Sequence, residues 1–163
     1  MLEHQKPSAN ALLVAEDDDD DYLLTLKALH DTQYAGEIFR VKDGIELVEF
    51  LLGKIAEIGA GAGDGYPRIL LLLDLNMPRK DGRQALSEIR ANPALRCLPV
   101  VILTTSNATA DINLAYELGA NSYARKPSSY AQFAGLLMII VKYWFEAVEW
   151  PIVRSPATRW QVL

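Results

Sequence analysis

The stretch from Ile69 to Gly82, ILLLLDLNMPRKDG, constrains this chain more than any other. Ile69 to Leu73 is an unbroken aliphatic run, too short to span a membrane and without helical spacing. It therefore predicts a strand buried on both faces, as in a parallel sheet. The run stops at Asp74, which places an acid at the carboxyl end of an apolar strand. Open α/β sheets hold their ligands and chemistry at that rim. The residues that follow read as loop, because Pro78 lacks a backbone donor and Gly82 frees the backbone from steric restriction.

The same grammar recurs along the chain. Ala11 to Ala15 is a short aliphatic run ending in Glu16 and Asp17, and Val100 to Leu103 ends in Thr104, Thr105 and Ser106. Glu37 to Val41 alternates as a strand, and Ser122 to Arg125 reads as an edge strand ending at Lys126 and Pro127. Helical spacing marks Asp19 to His30, Gly44 to Ile58, Arg83 to Asn92, Ala108 to Leu118 with Gly119 as its cap, and the long apolar stretch Ala131 to Val148. Five strands alternating with five helices predict a parallel sheet, right-handed crossovers and helices on both faces, a three-layer α/β/α fold. A chain of 163 residues, half of them hydrophobic, holds one such domain. We divide it into an arm at 1–10, the domain at 11–150 and a tail at 151–163.

Two features have plain readings. Asp19, Asp20 and Asp21 read as a solvated, dipole-favoured helix start, whereas Glu16 and Asp17 belong to the strand-end rim. The glycine-rich segment Gly59 to Pro67 follows a helix and feeds a strand. A phosphate-cradling loop must do the reverse, so this segment reads as a connector on the opposite rim. The formal net charge is −5 and the basic residues are scattered, which argues against a nucleic-acid partner. A single cysteine, Cys97, excludes an internal disulfide and a cysteine zinc site and fits a reducing cytosol. The longest later apolar run, Phe133 to Val141, falls short of the roughly 18 residues a membrane helix needs. The expectation is a cytoplasmic protein with no membrane partner.

In the predicted topology Glu16, Asp17, Asp74, Thr104, Thr105 and Lys126 leave one edge of the sheet. Three carboxylates in one crevice repel each other, so they require a cation or shifted pKa values. Mg2+ suits them, since it takes oxygen ligands and shares its shell with phosphoryl groups. Lys126 supplies a compact positive charge for phosphate, and a threonine hydroxyl donates to it. Asp74 is then placed to attack phosphorus and form an aspartyl phosphate. Lys126 or Thr104 alone would read as an ordinary surface lysine or strand-end hydroxyl; their joint placement carries the argument. A haloacid-dehalogenase-type phosphatase using Asp74 as nucleophile is the alternative, but it wants a second aspartate where this chain has Asn76. A flavin site would need a phosphate loop where this chain has acids.

The blocks VAEDD, LLLDLNMPRKDG, VVILTTS and SYARKP resemble those of response regulator receiver domains of two-component systems, over roughly Ala11 to Tyr143. The aspartate run, the long connector, TTSN and YWFE are similar to single-domain regulators that partner phytochrome-type histidine kinases. The resemblance implies a flavodoxin-like sheet and Asp74 as phosphoacceptor for a histidine kinase or phosphotransfer protein. It also implies Mg2+ held by Asp17, Asp74 and the backbone carbonyl of Asn76, with Glu16 assisting through water. Lys126 would contact the phosphoryl group, Thr104 and Tyr123 would form the switch, and Lys126–Pro127 would be cis. Ser128 departs from the aromatic or aliphatic residue common after Lys-Pro. Apolar residues from Tyr130 through Trp160 predict either a tail folded over the core or a homodimer interface.

Overall fold

The computed structural model describes residues 10–59 and 68–151. Residues 1–9, 60–67 and 152–163 lie outside the described residues, and with them most of the expected arm at 1–10, connector at Gly59 to Pro67 and tail at 151–163; Asn10 opens β1 and Gly59 closes α2. The elements follow the predicted alternation: β1 (Asn10–Ala15), α1 (Asp19–Asp31), β2 (Glu37–Val41), α2 (Gly44–Gly59), β3 (Arg68–Leu73), α3 (Gly82–Ala91), β4 (Val100–Thr104), α4 (Thr109–Glu117), β5 (Ser122–Arg125) and α5 (Tyr130–Lys142). The strands form one parallel sheet in the order β2-β1-β3-β4-β5, the flavodoxin-like arrangement.

Strand periodicity explains the two cores. Along β3, Leu71 and Leu73 face one side with Leu47, Leu51, Leu86, Ile89 and Ala115 from α2, α3 and α4. Leu70 and Leu72 face the other with Ala28 and Leu29 of α1 and Phe133, Leu137 and Ile140 of α5. All four leucines are essentially inaccessible to solvent. Each contributes about 1.5–3 kcal/mol by burial. An aliphatic run without alternation is what a central strand between two helical layers requires.

The sheet ladder continues one residue past several strands and so fixes the rim. Glu16 N–H donates to Val41 at 3.0 Å, Asp74 N–H to Ala15 at 3.1 Å and Lys126 N–H to Thr104 at 2.8 Å. Gly82 opens α3 against the end of β3, where a Cβ would lie 2.3 Å from the Asp74 carbonyl. Only glycine permits that approach. Asp81 and Gln84 form a reciprocal capping box there.

The last helix departs from expectation. In place of one helix to Val148, α5 ends at Lys142 and a wide π turn runs from Tyr143 to Ala147. The Trp150 ring stacks on Phe145 at 5.4 Å, and its indole N–H donates to the Trp144 carbonyl at 2.5 Å. Satisfying that carbonyl from outside the helix offsets the altered backbone pattern.

A second staple joins the loop after β3 to α2. The Asp43 carboxylate, buried with 4% exposure, accepts from Ile45 and Glu46 N–H at 2.8 and 3.0 Å and pairs with Arg79. Arg79 sits in the left-handed region at φ 61°. Burial raises the Asp43 pKa, but the hydrogen bonds from Glu46, Arg79 and Ile45 outweigh it and hold the group below its ordinary value. Asp43→Ala is expected to lower unfolding free energy by about 1–2 kcal/mol, mostly through loss of the cap, since Arg79 is largely exposed. Because the folded-state pKa is depressed, this contribution is present above pH 3.8 and lost as pH falls through the lower folded value. Denaturant titrations of both proteins at neutral and acidic pH check this; an unchanged midpoint at neutral pH would refute it.

Candidate functional site

β1, β3 and β5 deliver Glu16, Asp74 and Lys126 to one point on the carboxyl rim. The Lys126 ammonium pairs with Glu16, with Asp21 at 2.9 Å and with Asp74 at 3.1 Å. An ammonium has three N–H donors, and here each meets a carboxylate. The Lys126 side chain is 9% exposed, Glu16 4% and Asp74 11%, so these charges are largely withdrawn from water. Burial pulls the Lys126 pKa down, but Asp74, Glu16 and Asp21 outweigh it and the net direction is up. Glu16 is pushed above its ordinary value, first by burial and further by Asp74, with Lys126 opposing.

Asp74 is oriented from two more sides. The Thr104 hydroxyl, fully buried at the end of β4, donates to Asp74 Oδ1 at 3.1 Å. The Asn76 N–H donates to the same oxygen at 3.0 Å. Asp74 Oδ2 faces Lys126. One residue thus presents a carboxylate whose rotamer is set by strand, loop and lysine together.

The arrangement extends and corrects the sequence reading. Asp21, read there as part of a solvated helix start, reaches the ammonium directly. Asp18 is the residue that caps α1, accepting from the Asp21 N–H at 2.9 Å. Asp19 pairs with Arg40 at 2.7 Å and Lys42 at 3.0 Å instead of standing free. The helix-start reading survives in the cap, but it missed the turn of α1 that carries Asp21 inward over Lys126; acid spacing from Glu16 was the only signal. Among the described residues, the acids whose oxygens lie within 4.8 Å of one another are Glu16, Asp21 and Asp74. Asp17, expected as a metal ligand, is not among these acids, and its backbone carbonyl accepts from Arg40 at 3.2 Å. The Lys126–Pro127 peptide, expected as cis, is trans, since no cis peptide occurs among the described residues. Trans carries the intrinsic preference of about 0.5–1 kcal/mol before proline, and Lys126 reaches all three carboxylates with it.

Tyr123 is half-buried, and its hydroxyl donates to the Ser106 carbonyl at 3.0 Å, joining β5 to the loop after Thr104. Ser106 Oγ donates to Asp111 at 2.6 Å, and Asp111 also accepts from Arg83 at 2.7 Å. These two hydrogen bonds hold the Asp111 carboxyl below its ordinary range.

An all-oxygen cluster of three carboxylates against one ammonium is a donor set that fits a hard divalent cation, whose ligands are carboxylates and carbonyls. A parallel α/β sheet that gathers an oriented strand-end aspartate, flanking acids, a buried hydroxyl and a lysine at its rim defines a receiver-type phosphorylation switch. Residues 12–137 match the response regulator receiver domain, and the chain belongs to that family. It is 36% identical to response regulator Rcp1 of Synechocystis over 93% of this chain and 99% of Rcp1. Among solved structures, the phosphorylated cyanobacterial phytochrome response regulator RcpA is 33% identical, with TM-score 0.73, covering 88% of this chain and 99% of that one. The Mn2+-bound form of Rcp1 gives TM-score 0.71 at 33% identity, covering 87% of this chain and 99% of that one. The protein is therefore a signalling domain, and the haloacid dehalogenase alternative falls away. No described helix is long and apolar enough to cross a membrane.

The raised Glu16 pKa carries a sign. The folded state binds this proton more readily than the unfolded one, so ionising Glu16 costs stability in full above the raised folded value, and the cost disappears below pH 4.5. In Mg2+-free buffer, Glu16→Gln is expected to melt higher relative to wild type at pH 7 than at pH 4.5. A difference in melting temperature that stays constant across that range would contradict the assignment.

Proposed function

We propose that this chain accepts a phosphoryl group on Asp74 from a histidine kinase or phosphotransfer protein and, in response, reshapes a protein-binding surface. The observation that carries this is the convergence of Glu16, Asp21 and Asp74 on Lys126, with Thr104 on the opposite Asp74 oxygen. In the transfer an Asp74 oxygen attacks phosphorus, the new P–O bond forms, and the bond to the donor nitrogen breaks with its electron pair leaving on the imidazole. Lys126 trades a carboxylate partner for a phosphoryl oxygen and so balances charge that the acids alone would repel. Asp17, Asp74 and the Asn76 carbonyl, with Glu16 through water, are the proposed Mg2+ holders. Bound there, the ion would neutralise phosphoryl charge. The all-oxygen cluster of Glu16, Asp21 and Asp74, which shares Asp74 and Glu16 with that set, supports a hard divalent ion, and so does the Mn2+-bound relative.

A phosphoryl group adds roughly −1.5 to −2 charges. Thr104 then turns its hydroxyl from Asp74 to the phosphoryl oxygens, and the loop it leads moves with Tyr123, which already grips Ser106. This biases a two-state element joining the site to α4, β5 and α5. The similarity to phytochrome response regulators supports a phytochrome-type kinase, which implies a cytoplasmic location. Ile139 and Tyr143, 68% and 53% exposed, support this face as the readout surface, with a second copy of the chain as one occupant.

With acetyl phosphate and Mg2+, wild type is expected to gain one phosphoryl group and Asp74→Asn none, read by mass spectrometry; labelled Asp74→Asn would remove the nucleophile assignment. Ser106 is short and its hydroxyl is committed to Asp111, so the phosphoprotein is expected to decay over minutes or longer, and decay within seconds would count against that role. Sedimentation over a range of concentrations tests the dimer, which a monomer at every concentration excludes.

A further inference from the structure

Arg40 lies outside the site as the sequence defines it, on β2 at the sheet edge, in register with Val14. Its guanidinium nonetheless reaches the main chain of the acid pair. Nε donates to the Glu16 carbonyl at 3.0 Å and Nη2 to the Asp17 carbonyl at 3.2 Å. Nη1 pairs with Asp19 at 2.7 Å, and the guanidinium carbon lies 4.3 Å from the centroid of the Tyr22 ring. The side chain is only 17% exposed, so all three nitrogens and one face of the plane are in use. A planar, fixed fork makes such contacts and an ammonium does not.

We propose that Arg40 is a positioning residue for divalent-cation binding, holding the Glu16–Asp17 backbone so that both carboxylates face the rim. The inference rests on the proposed role of Glu16 and Asp17 toward the metal. Its physical interest is that electrostatics alone argues the reverse. A guanidinium beside an acidic site repels a divalent cation, so discharging it should tighten binding. Positioning predicts the opposite sign, because two consecutive carbonyls lose their partners and the carboxylates they carry lose their aim. Groups that orient metal ligands from behind typically change affinity roughly 10–100-fold when removed.

The test is calorimetric titration of the full chain with MgCl2 in wild type, Arg40→Gln and Arg40→Lys, alongside Asp17→Asn. Roughly ten-fold weaker Mg2+ binding in Arg40→Gln, despite the lost positive charge, is the expected result. Arg40→Lys is expected to weaken it too, since charge without the fork does not rescue. The Mg2+ concentration giving half-maximal acetyl phosphate labelling should rise in step, with the rate at saturating Mg2+ retained. Unchanged or tighter binding in Arg40→Gln overturns the inference. Should Arg40→Gln fail to fold by circular dichroism, Tyr22→Leu, which removes only the ring under the guanidinium, decides: weaker Mg2+ binding supports positioning and wild-type binding overturns it. Asp17→Asn separates the two levels. Wild-type affinity in that variant sinks the metal reading itself, whereas its loss together with an unaffected Arg40→Gln sinks only the positioning role.

Discussion

Like charge crowded into a low-exposure crevice is the constraint on which the site depends. Two carboxylates about 4 Å apart repel by about 4 kcal/mol at an effective dielectric near 20, a large fraction of a domain's net stability. Lys126 offsets this by meeting Glu16, Asp21 and Asp74 with its three donors. The same ammonium that makes the acids tolerable is the group suited to a phosphoryl oxygen. Stability of the resting fold and readiness for chemistry therefore draw on one interaction, which explains why the site sits where strands end and not on a pliable loop.

The scaffold holds that balance with backbone and not with side-chain contacts alone. Each of Glu16, Asp74 and Lys126 donates its N–H across the ladder to the neighbouring strand, so the Cα positions move only if the sheet moves. Around them, Asp43 with Arg79 anchors the loop after β3, and Arg40 holds the turn after β1. Thr104 and Tyr123 join β4 and β5 to the same centre. Leucines packed on both sides of the sheet anchor β3, and with it the base of Asp74.

Most of the fold was legible. The aliphatic runs, their acidic ends and the alternation with helical periods led to the right sheet, because a parallel strand needs an unbroken apolar run and its rim needs polar residues. Asp74, Lys126 and Thr104 were legible for the same reason: each ends a strand. Asp21, Asp43 and Arg40 were not. Asp21 looked like any acid at a helix start, and Asp43 like any residue before a glycine. Arg40 looked like the polar half of an alternating strand. Each acts through a partner 23 to 105 positions away in the chain. The π turn after α5 was hidden too, since apolar residues at Tyr143 to Ala147 continue the helical pattern and only Trp150 folding back reveals the break.

The sequence by itself determined the layers, the parallel sheet and the polar residues that end its strands, because these follow from local periodicity and the handedness of the chain. Only the tertiary structure decided which acids share Lys126, that the bond before Pro127 is trans, and which side chains hold the acidic turn from behind. Those are questions of distance between segments remote in sequence, where a few ångströms separate a solvated charge from a paired one, and no local pattern encodes them.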